Sequence, residues 1–408
     1  MPSVWLVNHY AAFPDFPGPT RHFELARRLA LRGFDVTVIA SEFDSSKGIK
    51  FIEGEGTFHM VERDGVRFVW LRSDTEYSAN DAMRVRNMIE FAWRLWREGR
   101  KLLRGSIPRP DVVLGSTPHL LTPLAAWLLA RRFRVPFVME VRDLWPETFV
   151  AFGVFKRWHP VVLGLRLLER FLYRRARRIV ALLPEAWRYI EARGVTKDQV
   201  VWIPNGVTVD PMTADGDGGT GSPFTLMYVG AHGRANVLED LVLAASRLQD
   251  RGAPVRIVFV GDGGEKSALM RSAEKLALSN VEFLGRVARN QVAEITRTAD
   301  AFVALLEDTD LYRYGTSLNK VFDYMAEGKP VILAGRIARN YVDEAKCGLT
   351  VPPRDAEALA DAIETLVELP EAECREMGER GRAYVREHHN WDLLVGRLAE
   401  ALREAAGL

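Results

Sequence analysis

Short apolar runs alternate with segments of helical periodicity along most of this chain. "VWLVN" at 4–8 is the first such run, and the Pro/Gly-rich loop "YAAFPDFPGPT" follows it. "RHFELARRLALRG" then brings Phe23, Leu25, Ala26, Leu29 and Ala30 onto one helix face, and "FDVTVIAS" adds a second buried strand. Strand, loop, helix and strand within about 40 residues make a βαβ unit, whose crossover predicts parallel strands. Further strands are predicted at "VRFVWL" (66–71), "DVVLGS" (111–116), "VPFVMEV" (135–141), "RIVALL" (178–183) and "QVVWIP" (199–204), with helical segments between most of them.

The alternation stops at "TVDPMTADGDGGTGSPF", where Gly, Asp, Thr and Pro predominate, a composition that predicts a linker. It restarts with "FTLMYVG" (224–230), "RIVFVGDG" (256–263), "NVEFLGRV" (280–287), "AFVALL" (301–306), "PVILAG" (330–335) and "LTVPP" (349–353). At 408 residues the chain exceeds one ordinary core. The expected fold class is therefore α/β, with two Rossmann-like parallel-sheet domains at 1–208 and 224–389 joined by a linker at 209–223. The amphipathic end, 390–408, is expected to pack back on the first domain. Two such domains would place ligands in a cleft between the carboxyl ends of their strands.

Composition narrows the classes of partner. Lys plus Arg total 55 and Asp plus Glu 54, so a net charge of +1 predicts no nucleic-acid partner from overall charge, although local basic clusters remain. Cys347 and Cys374 are the only cysteines, with no Cys/His cluster in sequence around either, which argues against a disulfide framework or structural zinc. The beginning, "MPSVWLVNHYAAF", lacks the regions of a signal peptide, and no stretch approaches the roughly 18 apolar residues that span a bilayer. A cytoplasmic protein is the expectation.

"SLNKVFDYMAEGKPVI" at 317–332 concentrates candidate chemistry. Ser317 reads as an N-cap with Asn319 and Lys320 in the first turn, where unpaired N–H groups, the helix dipole and an ammonium would together hold an anion. Asn319, Asp323 and Glu327 share one face, while Val321, Phe322 and Met325 fill another that can be buried. Asp323, one turn below, is placed to accept two hydrogen bonds from a ribose diol. A Lys320–Asp323 surface pair on an ordinary amphipathic helix fits the same stretch. "FVGDGGEKSALMRSA" sets Gly263 and its neighbours on a strand-to-helix turn, with Glu265 and Lys266 opening the helix. Alone it is weak evidence, since any tight turn favours glycine. "YVGAHGRANVLEDL" adds a second such turn with His232 and Arg234 at its mouth. Turns at 230–236, 261–266 and 315–320 would meet at one sheet edge and gather Arg234, Lys266 and Lys320.

In order and spacing, these segments resemble the family-four retaining glycosyltransferases of the GT-B fold, nearly end to end. The motifs that carry the resemblance are "RHFELARRLALRGFDVTVIA", "EVRDLWPE", "IPNGV", "YVGAHG", "VGDGGEKSAL", "NVEFLGRV", and "NKVFDYMAEGKPVI" leading into "CGLTVPP". The chain looks most like the subgroup that builds bacterial O-antigen, capsule or exopolysaccharide units, including N-acetylfucosamine-type transferases. The resemblance implies transfer, with retention, from a nucleotide diphosphate sugar, of the UDP-N-acetylhexosamine type, to a hydroxyl of a lipid-linked saccharide.

On this resemblance Arg234, Lys320 and the helix start at 317–320 would stabilise the leaving diphosphate more in the transition state than in the ground state. Asp323 would hold the ribose, and main-chain groups near Arg286 and Val287 the base. No metal cofactor and no protein nucleophile are implied, because the leaving phosphate takes the acceptor proton. "EVRDLWPE" corresponds to the segment where His-Asp often sits; position 142 is arginine here, Asp143 keeps the reaction-centre role, and Glu140 or Glu147 would orient the acceptor. Without the resemblance, Asp143 and Glu147 read as helix-start acids. Gly18, Thr20 and His22, at the head of the first helix, would touch donor phosphate or acceptor, whereas His22 alone reads as a surface histidine.

Two departures stand out. The family carries one acid in the loop and one in the helix; the second matches Asp323, but the first falls on Gly315. Backbone N–H groups of Gly315, Thr316 and Ser317, or Asp308 or Asp310 nearby, would substitute. The usual Gly-Arg…Lys pair reads "GAHGRAN", so Arg234 would replace the displaced cation. "DTD" at 308–310 looks like a metal-binding pair and is taken as loop acids.

Two segments, "MRVRNMIEFAWRLWREGRKLLR" (83–104) and "FKRWHPVVLGLRLLERFLYRRARR" (155–178), mix arginines with Trp, Phe and Leu at helical spacing. They fit in-plane helices that touch anionic headgroups on the inner leaflet, or core-facing helices with a solvated arginine face. Peripheral association with the inner face of the plasma membrane is the expectation. Two rival functions remain: a UDP-N-acetylglucosamine 2-epimerase, which needs no acceptor, and a non-catalytic sugar-nucleotide-binding subunit, suggested by Gly315.

Overall fold

The computed structural model describes residues 1–14, 20–44, 49–50, 56–77, 82–103, 107–209, 223–287 and 289–408. Gly18 and most of the expected linker, 210–222, lie outside the described residues. The chain divides into two compact units, Met1–Asn205 with Trp391–Leu408, and Gly206–Asn390. Each is built on one sheet.

In the first unit the strands are β1 (Ser3–Val7), β2 (Asp35–Ser41), β5 (Phe58–Arg63), β6 (Val66–Leu71), β7 (Val112–Ser116), β8 (Phe137–Val141), β9 (Arg178–Ala181) and β10 (Val200–Trp202). Their order is β10-β9-β8-β7-β1-β2-β6-β5, with a separate two-residue antiparallel pair, β3 (Phe43–Asp44) with β4 (Ile49–Lys50). β1, β7 and β8 are buried at every position, as unbroken apolar runs require when helices cover both faces. β5 is absent from the sequence reading. It pairs antiparallel with β6 through Asp64 and Gly65, both at positive φ (52° and 71°), so a hairpin closes one edge. Its outward side chains are half exposed, which hides the apolar signal.

Right-handed crossovers to opposite sides of β1 and β7 set helices on opposite faces. On one face, Leu25, Ala26 and Leu29 of helix Arg21–Leu31 share a core with Leu394, Val395, Leu398 and Leu402 of helix Trp391–Ala406. The other face carries helices Ala82–Leu102, Leu121–Phe133 and Pro160–Arg175, which follow β6, β7 and β8.

The second unit has six parallel strands, β11 (Phe224–Val229), β12 (Val255–Val260), β13 (Val281–Gly285), β14 (Ala301–Leu305), β15 (Val331–Ala334) and β16 (Gly348–Val351), in the order β13-β12-β11-β14-β15-β16. The connections run one way from β11 to β13 and the other way from β14 to β16. β11 and β14 therefore flank a topological switch point, where the loops diverge and leave a crevice at the carboxyl edge. No helix among the described residues is long and apolar enough to cross a membrane.

Candidate functional site

The loop after β11 and the loop after β12 are locked together at this edge. Gly230 N–H donates to Val260 O (2.9 Å), His232 N–H to Asp262 O (2.9 Å), and Glu265 N–H to His232 O (3.0 Å). Glycine is what permits the approach: a Cβ at Gly261 would lie 2.0 Å from Gly230 O, and one at Gly263 would lie 2.4 Å from His232 O. Lys266 opens helix Lys266–Lys275, and its Nζ would lie 3.2 Å from a Cβ at Gly285, so this ammonium borders the end of β13.

Helix Asn319–Ala326 follows the switch point from the β14 side. It buries Val321, Phe322 and Met325 and leaves Asn319 and Asp323 exposed, because the apolar stripe must face the sheet. Leu318, not Ser317, is its N-cap residue, and no side chain caps it, which corrects the capping role expected of Ser317. Asn319 and Lys320 are thus the first two helical residues, whose N–H groups have no partner within the helix. Tyr324 Oη pins the helix to β11 by donating to Val229 O (2.8 Å) and accepting from Val229 N–H (2.8 Å).

Lys320 Nζ donates to Asn236 Oδ1 (2.6 Å) and to Tyr228 Oη (2.9 Å), and lies 4.6 Å from the centre of the Tyr228 ring. The surface pair with Asp323 does not form; the ammonium turns inward instead. Every protein group that holds it is neutral, and among the described residues no carboxylate pairs with it. Burial accordingly pushes its pKa down to about 8. Tyr228 Oη and Asn236 Nδ2 both donate to Ala231 O, at 2.8 and 2.9 Å, so one carbonyl orients both acceptors toward Lys320.

The remaining residues expected here are placed less uniformly. Arg234 begins the turn Arg234–Asn236, but its side chain is 92% exposed and lies 3.6 Å from Glu265. His232 is fully buried among Tyr228, Phe259 and Phe283, and no described residue pairs with either ring nitrogen. Burial, with Lys266 nearby, keeps it neutral, and it presents no surface to a ligand as placed. Arg286 and Val287 directly follow β13. Gly315 ends the turn Asp310–Tyr314 with φ 82° and ψ −176°, a conformation open essentially to glycine alone. Thr316 O accepts from Tyr341 Oη (2.8 Å), which anchors the segment between that turn and the helix.

In the first unit, three acceptor assignments need correction. Glu140 is fully buried near the end of β8, and its carboxylate accepts from Ser116 Oγ (2.6 Å), Arg21 Nε (3.0 Å) and His22 Nε2 (2.8 Å). Arg21 also donates to Pro204 O (2.6 Å) and Ile203 O (2.8 Å). His22 is equally buried, with Nδ1 2.9 Å from Asn8 Nδ2. Burial keeps its ring neutral, so Nε2–H donates to Glu140 and Nδ1 accepts from Asn8, while Arg21 holds the Glu140 carboxyl well below the usual range. Neither side chain reaches solvent; both belong to a network that ties β8, the first helix and residues 203–205. Glu147 accepts both prongs of Arg166 (2.8 and 2.9 Å) and contacts Arg193 (3.3 Å), so it braces two helices. Asp143 is exposed on the turn after β8.

Tyr228, Asn236, Tyr324 and Arg21 escape the sequence reading. The available signals are slight: a tyrosine ending an apolar strand, an asparagine just past "GRA", and an arginine at a helix start.

Comparison with known proteins follows the same division of the chain. Residues 18–206 match the model of a glycosyl transferase 4-like domain, and residues 223–368 that of glycosyl transferases group 1. The chain is 23% identical over 311 residues to the probable glycosyltransferase WbjE of Pseudomonas aeruginosa, covering 72% of this chain and 75% of that one. It is 23% identical over 301 residues to the putative colanic acid biosynthesis glycosyl transferase WcaI of Escherichia coli, covering 67% and 70%. The structure of Anabaena Alr3699/HepE in complex with UDP superposes with a TM-score of 0.70 at 14% identity, over 99% of this chain and 100% of that one.

Proposed function

The chain is a glycosyltransferase built of two Rossmann-like domains of the GT-B type, and from that premise we propose that it takes its sugar from a UDP-sugar and transfers it, with retention, to a lipid-linked saccharide. The product belongs to a bacterial surface polysaccharide, in keeping with the relative named for colanic acid biosynthesis. A donor of the UDP-N-acetylhexosamine type fits the subgroup that the motifs resemble.

One observation carries this reading. Lys320 is a half-buried ammonium at a helix start beside a switch point, held only by neutral oxygens. A cation desolvated without a counter-charge is stabilised by an arriving anion, and the N–H groups of Asn319 and Lys320 in the first helical turn have no partner within the helix. A diphosphate matches both. Its charge grows as the glycosidic bond breaks, so Lys320 lowers the barrier as well as binding the donor. Asp323, exposed one turn on, takes the ribose, and the main chain at Arg286 and Val287 takes the base. Asp143 is assigned to the reacting centre, and Arg234 to the outer phosphate oxygens that its exposed side chain can swing to meet.

A thermal-shift panel of UDP-, GDP- and ADP-sugars tests the donor, since a ligand that binds only the native state raises the unfolding temperature. UDP-sugars are expected to stabilise the wild type, and Lys320→Ala to abolish that shift. A response to GDP-sugars alone would overturn the donor assignment. Release of an epimer from UDP-N-acetylglucosamine without acceptor would replace transfer by epimerisation.

A further inference from the structure

We propose that the first unit docks on a lipid surface bearing anionic headgroups, through one continuous arginine–aromatic face made by helices Ala82–Leu102, Leu121–Phe133 and Pro160–Arg175.

The middle helix joins the outer two. Arg132 lies over the ring of Trp96 at 5.4 Å, and Trp127 meets the edge of Phe171 at 4.9 Å, so the three form one layer. In the first helix Ile89, Trp93 and Trp96 are 54%, 48% and 45% exposed, at the spacing of a single stripe. In the third helix Leu163 and Leu167, one turn apart, are 42% and 71% exposed, and Trp158 just before it is 68% exposed. A helix of the first one's length gives this face an extent of about 30 Å. Apolar side chains so aligned and so open to water mark a surface that is covered in use.

Charge identifies the cover. These helices contain three acids, Glu90, Glu98 and Glu169, and none faces outward. Glu98 and Glu169 are buried. Glu90 accepts from Arg94 and from the N–H groups of Asp74 and Thr75. The exposed charges of the layer are basic: Arg86, Arg97, Arg100 and Lys101 on the first helix, Arg131 on the second, Arg170, Arg174 and Arg175 on the third. Indole and leucine side chains beside guanidinium groups suit the boundary between headgroups and acyl chains. A nucleic acid would neutralise the arginines yet leave Leu163, Leu167 and Trp158 in water.

The face is also held rigid. Glu169 accepts from Tyr173 (2.9 Å), Tyr189 (3.0 Å) and Arg193 Nε (2.8 Å), which fixes the third helix from beneath. The inference concerns the first unit alone, so it stands or falls independently of the nucleotide reading of the second.

Co-sedimentation of the full chain with vesicles of phosphatidylcholine, and of phosphatidylcholine mixed equally with phosphatidylglycerol, tests it. Binding is expected to the mixed vesicles, little to the neutral ones, with weakening as salt rises. Leu163→Asp with Leu167→Asp is expected to abolish it. Replacement of Arg97, Arg100 and Arg131 by Ala is expected to weaken it about fivefold for each arginine removed. An unchanged unfolding midpoint in each variant shows that the fold is intact. Binding that ignores lipid charge, or survives both sets of substitutions, overturns the proposal. So does concentration-dependent self-association that the leucine substitutions abolish while vesicles go unbound, since the occupant would then be a second copy.

Discussion

Lys320 Nζ and Asn236 Oδ1 lie 2.6 Å apart although 84 residues separate them, and the carbonyl of Ala231 fixes which way the Asn236 amide points. The neutrality of that amide matters as much as its distance. Asn236→Asp places a carboxylate against the ammonium and cancels the charge that a diphosphate would meet, so UDP affinity is expected to fall at least tenfold. Asn236→Ala and Tyr228→Phe each remove one acceptor, at a cost of about 1.5–3 kcal/mol for a hydrogen bond to a charged group. Titration calorimetry with UDP, with Lys320→Ala as reference, measures the series. Loss of binding in Lys320→Ala alone would leave Asn236 and Tyr228 as bystanders.

The same ammonium makes nucleotide binding dependent on pH. Burial lowers the Lys320 pKa from 10.5 to about 8, so the charged form is complete only below that value. UDP affinity is expected to be level near neutrality and to weaken as pH rises through about 8, by a factor approaching ten per unit. Native stability moves the other way. A lysine whose folded pKa is depressed opposes folding while protonated, and that opposition is relieved between about 8 and 10.5. A pH series of UDP titrations on wild type and Lys320→Ala checks the sign, and the variant should be flat.

The resemblance to family-four glycosyltransferases leads one to expect an acid at position 315, yet φ 82° with ψ −176° at Gly315 excludes a side chain rather than merely lacking one. Gly315→Glu is therefore expected to destabilise by about 1–3 kcal/mol and not to raise turnover. Urea unfolding together with an assay of transfer would show both. A stable, more active variant would mean that the loop refolds around the acid.

Glu140 is a keystone of the first unit rather than an acceptor ligand. Glu140→Ala strands the buried Arg21 without its counter-charge and is expected to cost about 3–5 kcal/mol. Because Arg21 and the hydrogen bonds hold the carboxyl well below its usual pKa, the stabilisation is present at neutral pH. It disappears as acid protonates the group below the pKa of an unfolded glutamate. Denaturant curves from neutral to acid pH would show a steeper acid loss in wild type than in Glu140→Gln.

The alternation of apolar runs and helical stripes determines the parallel strands of both sheets, because an unbroken apolar run and a period of 3.6 are each written in adjacent residues. "NKVFDYM" likewise announces its own buried face and places Lys320 in a first turn, since both depend on neighbours within one helix. The hairpin strand β5 was less legible, because an edge strand buries few of its side chains. What Lys320 touches is not local at all: Tyr228 comes from 92 residues away and arrives only through the pairing of β11 beside β14. Glu140 and His22 show the same limit. In sequence each is a polar residue near a strand end or a helix start, and nothing nearby says whether it faces solvent or the interior. Arg21 decides that, from 119 residues away, by bringing a buried cation that Glu140 must neutralise. Sequence by itself therefore determined the elements and the cation at the switch point; tertiary structure alone decided which polar groups are spent inside the protein and which remain for a ligand, because desolvation and pairing depend on groups that only the fold brings together.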